Sequence, residues 1–282
     1  MGYVTTKKML EKARAQNYAV CAFNAENLEM VQAISWAAQE MNAPVIIQTT
    51  PSTIKYAGCE YFYAMVYTAV KNSAVPAALH LDHGNSWDLV CKAIREGYSS
   101  VMIDASKLPF EDNISLTKKV AKTAKAADIP VEAELGTVGG KEDSLEAKNG
   151  SYTDPNEAAE FVKQTSVDSL AVGIGTAHGI YTKTPLLDLN RLSKIKEAVD
   201  IPLVLHGATG LSEDIIKECV RRGINKINFA TELRLAYTAA VREKLNSDKN
   251  IIDIKIYSEY ARNSVIKLVK DKIALSGSAG KA

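Results

Sequence analysis

Short apolar runs alternate with helical periodicity along the whole chain. Eight runs bounded by turn residues stand out: Ala19–Ala25, Pro44–Thr50, Ala77–His83, Ser99–Ala105, Pro130–Gly136, Ser169–Gly175, Pro202–Gly207 and Lys226–Thr231. Between them, Asn27–Met41 reads as a helix, with Leu28, Val31, Ile34 and Ala38 on one face. Trp87–Glu96, Asn113–Ala127, Asn156–Thr165, Leu189–Ala198 and Ser212–Arg222 read the same way. Asp154 before Pro155, and Ser212 before Glu213 and Asp214, are helix-start signals. Ala-Pro at 43–44 and Ile-Pro at 129–130 and 201–202 enter strands, where proline is tolerated at the first position.

Strands alternating with helices imply βαβ units and a parallel sheet. Eight of them favour an α/β fold closed as a (β/α)8 TIM barrel, one domain over residues 1–282. An open doubly wound sheet is the alternative, but GxGxxG is missing after the first strand. Thr137–Tyr152 breaks the rhythm: it is polar, contains glycine and is long for a βα connection, so it reads as a mobile functional loop. A last helix is expected at about Ser258–Ala274, followed by a frayed tail from Ser276 to Ala282.

Charge adds little. Lys and Arg number 34 and Asp and Glu 33, for a net +1. That gives no electrostatic reason to expect nucleic acid or an anionic membrane, so any anionic ligand must be held by local geometry. The N-terminus lacks the apolar core of a signal peptide, and no apolar run is long enough to span a bilayer. Gly2 and Thr6 fit a loose myristoylation pattern, but a basic helix follows directly. The four cysteines form no CxxC pair and read as reduced structural thiols in a cytoplasmic protein.

In a barrel the reactive groups lie at the C-terminal ends of the strands. There the sequence offers Asn24, Thr50, Asp82, His83, Asp104, Glu132 and Glu134, His178, His206 and Asn228. Three of only four histidines, His83, His178 and His206, fall at this one rim. Three imidazoles with an open position describe a catalytic zinc site, though other late divalent ions also suit imidazole. Asp104 and Glu134 can add ligands or orient them. His80, deeper in its strand, reads as structural. Two loops have the shape of phosphate sites: His206-Gly-Ala-Thr-Gly210 and Asn228-Phe-Ala-Thr231, each leading into a helix, with Gly179 beside His178.

Taken together, Leu-His-Leu-Asp-His (79–83), Ser-Val-Met-Ile-Asp-Ala-Ser (100–106), Glu-Ala-Glu-Leu-Gly-Thr-Val-Gly-Gly-Lys-Glu-Asp (132–143), Gly-Thr-Ala-His-Gly (175–179), Pro-Leu-Val-Leu-His-Gly-Ala (202–208) and Lys-Ile-Asn-Phe-Ala-Thr-Glu (226–232) resemble the class II, metal-dependent ketose-bisphosphate aldolases. The resemblance covers nearly the whole chain. Gly-Thr-Ala-His-Gly and Thr-Pro-Ser-Thr (50–53) bring it nearest to the tagatose-1,6-bisphosphate aldolases.

The resemblance implies that His83, His178 and His206 hold one catalytic Zn2+, and that Asp104 and Glu134 can hold a second divalent or monovalent cation. It makes Asp82 the acid/base and Glu142 the base at dihydroxyacetone phosphate. Gly179, Gly207, Ala208 and Thr209, with Asn228, Phe229, Ala230 and Thr231, match phosphate-binding segments; Asn24 and Thr50 fall at the aldehyde half. Thr209 stands where serine is usual, and Lys141 where some relatives have Glu. The reaction implied is reversible cleavage of tagatose 1,6-bisphosphate to dihydroxyacetone phosphate and glyceraldehyde 3-phosphate through a metal-stabilised enediolate, with fructose 1,6-bisphosphate the alternative substrate. A homodimer or homotetramer is expected, and some tagatose-type relatives work with a non-catalytic partner subunit.

The residues alone leave two other readings open. One is a metal-dependent barrel hydrolase; two phosphate-shaped loops and the lack of a clustered His-x-His argue against it. The other is a silent aldolase subunit, which the presence of all three histidines, Asp82 and Glu142 disfavours. A lysine Schiff base is the other route to an aldol carbanion. Strand six carries no lysine, and Lys226 sits at the wrong end of strand eight.

Overall fold

A computed structural model describes residues 2–142, 145–147, 150–179 and 185–282, without the side chains of 141–149. The chain begins with helix α1 (Thr6–Gln16), then β1 (Val20–Asn24), α2 (Leu28–Glu40) and β2 (Val45–Thr49). Two helices follow, α3 (Pro51–Ala57) and α4 (Cys59–Val70), before β3 (Ala77–Gly84), α5 (Trp87–Arg95), β4 (Ser100–Ile103), α6 (Phe110–Lys125) and β5 (Val131–Leu135). Next come β6 (Gly139–Glu142), β7 (Leu145–Ala147), α7 (Pro155–Thr165), β8 (Ser169–Val172), β9 (Ala177–His178) and α8 (Leu189–Ala198). The chain closes with β10 (Leu203–Leu205), α9 (Glu213–Arg221), β11 (Ile224–Phe229), α10 (Thr231–Ser247) and α11 (Ile254–Leu275).

Eight parallel strands close into a barrel in the order β1-β11-β10-β8-β5-β4-β3-β2. Six lie within the runs expected from sequence; β3 ends one residue beyond its run and β11 begins two residues before its own, so the fold is the (β/α)8 barrel. Each strand is buried on both faces. The outward set, among them Leu79, Leu81, Val101, Ile103 and Leu205, joins the large core under the helices. The inward set is layered. Val20, Ala22, Ile46 and Ala78 form an apolar floor, sealed from below by Met9, Leu10 and Ala13 of α1. Above it the interior turns polar, with buried Gln48, His80, Ser100, Glu132 and Lys226. This polar layer carries the site.

Three segments differ from expectation. Of the expected loop 137–152, residues 143, 144, 148 and 149 lie outside the described residues; among the described ones β6 pairs antiparallel with β7 and parallel with β9. Residues 51–70, not singled out in the sequence, form α3 and α4. The tail is not frayed. Ser276 and Ser278 are buried, and Gly277 turns the chain at φ +74° past the end of α11. Ala19 donates to the Ser276 carbonyl, while Gly280 and Ala282 donate to those of Met41 and Asn42. The C-terminus is thus tied to the loop that enters β2. Among the described residues no helix is long and apolar enough to cross a membrane.

Candidate active site

The three rim histidines converge. The ring centroids of His83 and His206 lie 4.7 Å apart, those of His83 and His178 5.1 Å, and those of His178 and His206 6.1 Å. One ligand atom from each falls within 4.8 Å of the others. A second group on the same criterion joins His83, Asp104 and Glu134.

Local backbone aims each ring. The register between β3 and β4 shifts between Leu81 and Gly84, and His83 takes φ +48°, a left-handed conformation that a non-glycine residue adopts at a cost. A β-carbon at Gly84 would lie 2.4 Å from the Met102 carbonyl oxygen, so that glycine permits the bulge. His83 Nδ1 then lies 2.9 Å from Asp104 Oδ2, while Asp104 Oδ1 accepts from the backbone N–H and the hydroxyl of Ser106. Burial works to raise the Asp104 pKa; the bonds to His83 and Ser106 outweigh it and hold the carboxyl well below the usual range. His178 sits on β9, which is held by β6. His206 follows β10, and Gly207 turns away at φ +67° with no room for a β-carbon against the Ala177 carbonyl.

Both ring edges of His206 meet glutamates of β5. Nε2 donates to Glu132 Oε1 at 3.0 Å, and Nδ1 lies 3.1 Å from Glu134 Oε2. Burial favours the neutral ring, yet these two carboxylates push the pKa up to about 9. His206 Nδ1 and Glu134 Oε2 are buried and not aligned to bond each other; neither atom has a hydrogen-bond partner among the described residues. Buried polar atoms left so are costly. A divalent cation between imidazole nitrogens and a carboxylate satisfies both, so the donor set fits the group that the sequence implies.

Asp82 adjoins His83 and is fully buried. Its Oδ2 accepts from Asn24 Nδ2 at 2.9 Å, its Oδ1 from Asn228 Nδ2 at 3.0 Å, and Oδ1 lies 4.0 Å from His83 Nε2. Gln48 in turn donates to Asn24 Oδ1. The amides of Asn24 and Asn228, expected at the substrate's two ends, therefore fix the Asp82 carboxylate.

A small cavity beside the histidines is lined by His178, Gly179, Gly207, Ala208, Thr209, Asn228, Ala230, Thr231 and Arg234. Of the phosphate-binding residues that the resemblance implies, all but Phe229 border it. The Phe229 ring stacks on Phe23 in the core, under the Lys272 ammonium. Helix α10 opens at Thr231, and among the described residues no side chain caps it, which leaves its N-terminal dipole facing the cavity. Helix α9, by contrast, is capped by Ser212 on the Ile215 N–H. Thr50 is also a helix cap: its hydroxyl accepts from the Thr53 N–H at the start of α3.

The backbone of Glu142 ends β6, but its side chain lies outside the described residues. Sequence reasoning recorded Glu132 without giving it a role. Its signal was the spacing Glu-Ala-Glu, which turns both carboxylates of β5 to the barrel interior. Lys226, set aside as lying at the wrong end, is fully buried and bonded to that same Glu132.

Comparison with known proteins agrees with this geometry. Residues 4–281 match the family described as fructose-bisphosphate aldolase class-II. The crystal structure of the YdjI aldolase from Escherichia coli K12 is 38% identical, with a TM-score of 0.90 over 99% of both chains. A Coccidioides immitis protein provisionally named a fructose-1,6-biphosphate aldolase is 32% identical, with a TM-score of 0.90 over 97% of this chain and 96% of that one. Fructose-bisphosphate aldolase from Campylobacter jejuni, at 23% identity and a TM-score of 0.84, shares the fold over 100% of this chain and 97% of its own. With a barrel rim of three converging histidines and a match over almost its full length, the chain belongs to the class-II fructose-bisphosphate aldolase family.

Proposed function

We propose that this aldolase cleaves tagatose 1,6-bisphosphate reversibly to dihydroxyacetone phosphate and glyceraldehyde 3-phosphate, with fructose 1,6-bisphosphate as the alternative substrate. The observation that carries the reading is the adjacency of Asp82, the three histidines and the uncapped start of α10. His83, His178 and His206 would hold Zn2+, with Asp104 orienting His83. Asp104 and Glu134 are also where a second cation would sit. When bound, the ion supplies Lewis-acid stabilisation of the charge that develops on the carbonyl side of the enediolate.

The protein's own residues account for binding and proton transfer. The backbone around Gly179, Gly207 to Thr209 and Ala230 to Thr231 binds a phosphate through N–H groups and the α10 dipole. Asp82, oriented by two amides, takes the proton from the hydroxyl on the carbon that becomes the aldehyde. The carbon–carbon bond then breaks, and its electron pair remains on the dihydroxyacetone phosphate half. Glu142 returns a proton to the carbon of that half which held the broken bond; in condensation both transfers reverse. Lys226 does not serve as a Schiff-base amine, since it is bonded to Glu132 below the rim.

We place the enzyme in the cytoplasm as a homodimer or homotetramer, on the strength of its reduced cysteines and its family. Steady-state cleavage of both bisphosphates by the purified protein tests the substrate. A higher kcat/KM for tagatose 1,6-bisphosphate is expected; a preference for the fructose isomer would reverse the assignment. Phosphate release without carbon–carbon cleavage would point instead to a hydrolase.

A further inference from the structure

The geometry points to Glu132 as a positioning residue that presents His206 to the metal, with Lys226 holding Glu132 in place from below. This rests on the metal-site reading above and extends it to residues that touch neither substrate nor ion.

The two glutamates of β5 divide the edges of one imidazole. Glu134, which groups with His83 and Asp104, lies 3.1 Å from Nδ1. Glu132 accepts from Nε2 at 3.0 Å. A ring that donates Nε2–H to a carboxylate has its tautomer and plane fixed, and its other nitrogen becomes a better donor to a cation. A neutral partner would fix the plane without the electrostatic gain.

The Glu132 charge is itself maintained. Lys226 Nζ lies 2.9 Å from Oε2 and 3.1 Å from Oε1, and both side chains are buried. His80 Nε2 is 3.9 Å from Oε2. His80 Nδ1 pairs with the Ser100 hydroxyl at 2.7 Å, and Thr6 donates to that same hydroxyl from α1. The chain of contacts thus runs from the barrel floor to His206. Burial and the charge of Lys226 keep His80 neutral.

Stability alone does not account for the pair. Taking two charges into a barrel interior costs desolvation, and an apolar pair of similar volume is often as stable or more so. The pair has a purpose if its product is a fixed anion under a metal-ligating imidazole.

The test uses full-length protein. Each form is stripped with chelator, its fold is verified by circular dichroism, and it is then titrated with Zn2+ against a competing chelator. Glu132→Gln keeps a hydrogen-bond acceptor but drops the charge. Glu132→Gln with Lys226→Met does so without leaving an orphan cation, and carries the test if the single variant does not fold. Both are expected to bind Zn2+ roughly 10–100-fold more weakly than the parent. Their Co2+ forms should show shifted visible absorption bands, which a merely structural role would not produce. A folded double variant with the parent's Zn2+ affinity and Co2+ spectrum overturns this inference and leaves the metal site standing. A parent protein that takes up no Zn2+ overturns both.

Discussion

His178 and Gly140 are register partners in a short parallel ladder, and a β-carbon on Gly140 would lie 2.2 Å from the His178 carbonyl oxygen. The segment that carries Glu142 is therefore bonded to the segment that carries a rim histidine. Gly140 also takes φ +84°, which only glycine adopts without strain.

Gly140→Ala should move His178 as well as strain β6. The strain is expected to cost about 1–3 kcal/mol, too little to unfold the barrel. Displacing a site residue by an ångström can cost about 10²-fold in rate. Thermal melting and kcat/KM, measured together, check this: kcat/KM should fall far more than the melting point suggests.

Asp82→Ala separates the two proton transfers. Cleavage should slow by about 10²–10⁴-fold, the usual worth of a positioned acid or base. Exchange of the dihydroxyacetone phosphate proton with solvent should remain measurable, because it depends on Glu142. Equal loss of exchange and cleavage would mean that one residue serves both steps.

Much of this was readable in advance. The eight strands are apolar on both faces because the barrel buries both, so continuous runs mark them. The rim residues follow from where the strands end. Thr50 has a role that its position at a strand end did not announce: a hydroxyl before Pro51 serves a helix start, and α3 uses it as a cap. Glu132 and Lys226 are 94 residues apart and meet only because their strands face each other across the closed barrel. The frayed-tail expectation failed because small polar residues leave no periodic signal, although their backbone groups find partners near β2.

The tail offers a stability test. Ending the chain at Ser276 removes the Gly280 and Ala282 bonds to Met41 and Asn42, and the buried Ser278. At about 0.5–1.5 kcal/mol for each hydrogen bond, the loss should be about 1–3 kcal/mol. Urea unfolding should show a lower midpoint; an unchanged midpoint would mean the contacts contribute nothing in solution.

Burial pushes the thiols of Cys21 and Cys219 up to about 12. A thiol raised in the folded state keeps its proton there after the unfolded chain has lost it. Stability is therefore unaffected below the ordinary thiol pKa of about 9 and falls as pH rises from there towards 12, by up to about 1.4 kcal/mol per pH unit for each thiol. Unfolding measured at pH 8 and pH 10 checks the sign. At pH 8 a disulfide reagent should titrate these two thiols quickly only after denaturant is added.

The central claim is that His83, His178 and His206 hold a metal ion without which aldol cleavage does not proceed. Cleavage of tagatose and fructose 1,6-bisphosphates, before and after exhaustive chelation with metal content assayed, tests it most directly. Activity on both sugars should vanish with the metal and return on adding about one equivalent of Zn2+ per chain, as a single catalytic site requires. Cleavage at an undiminished rate by demonstrably metal-free protein would contradict it.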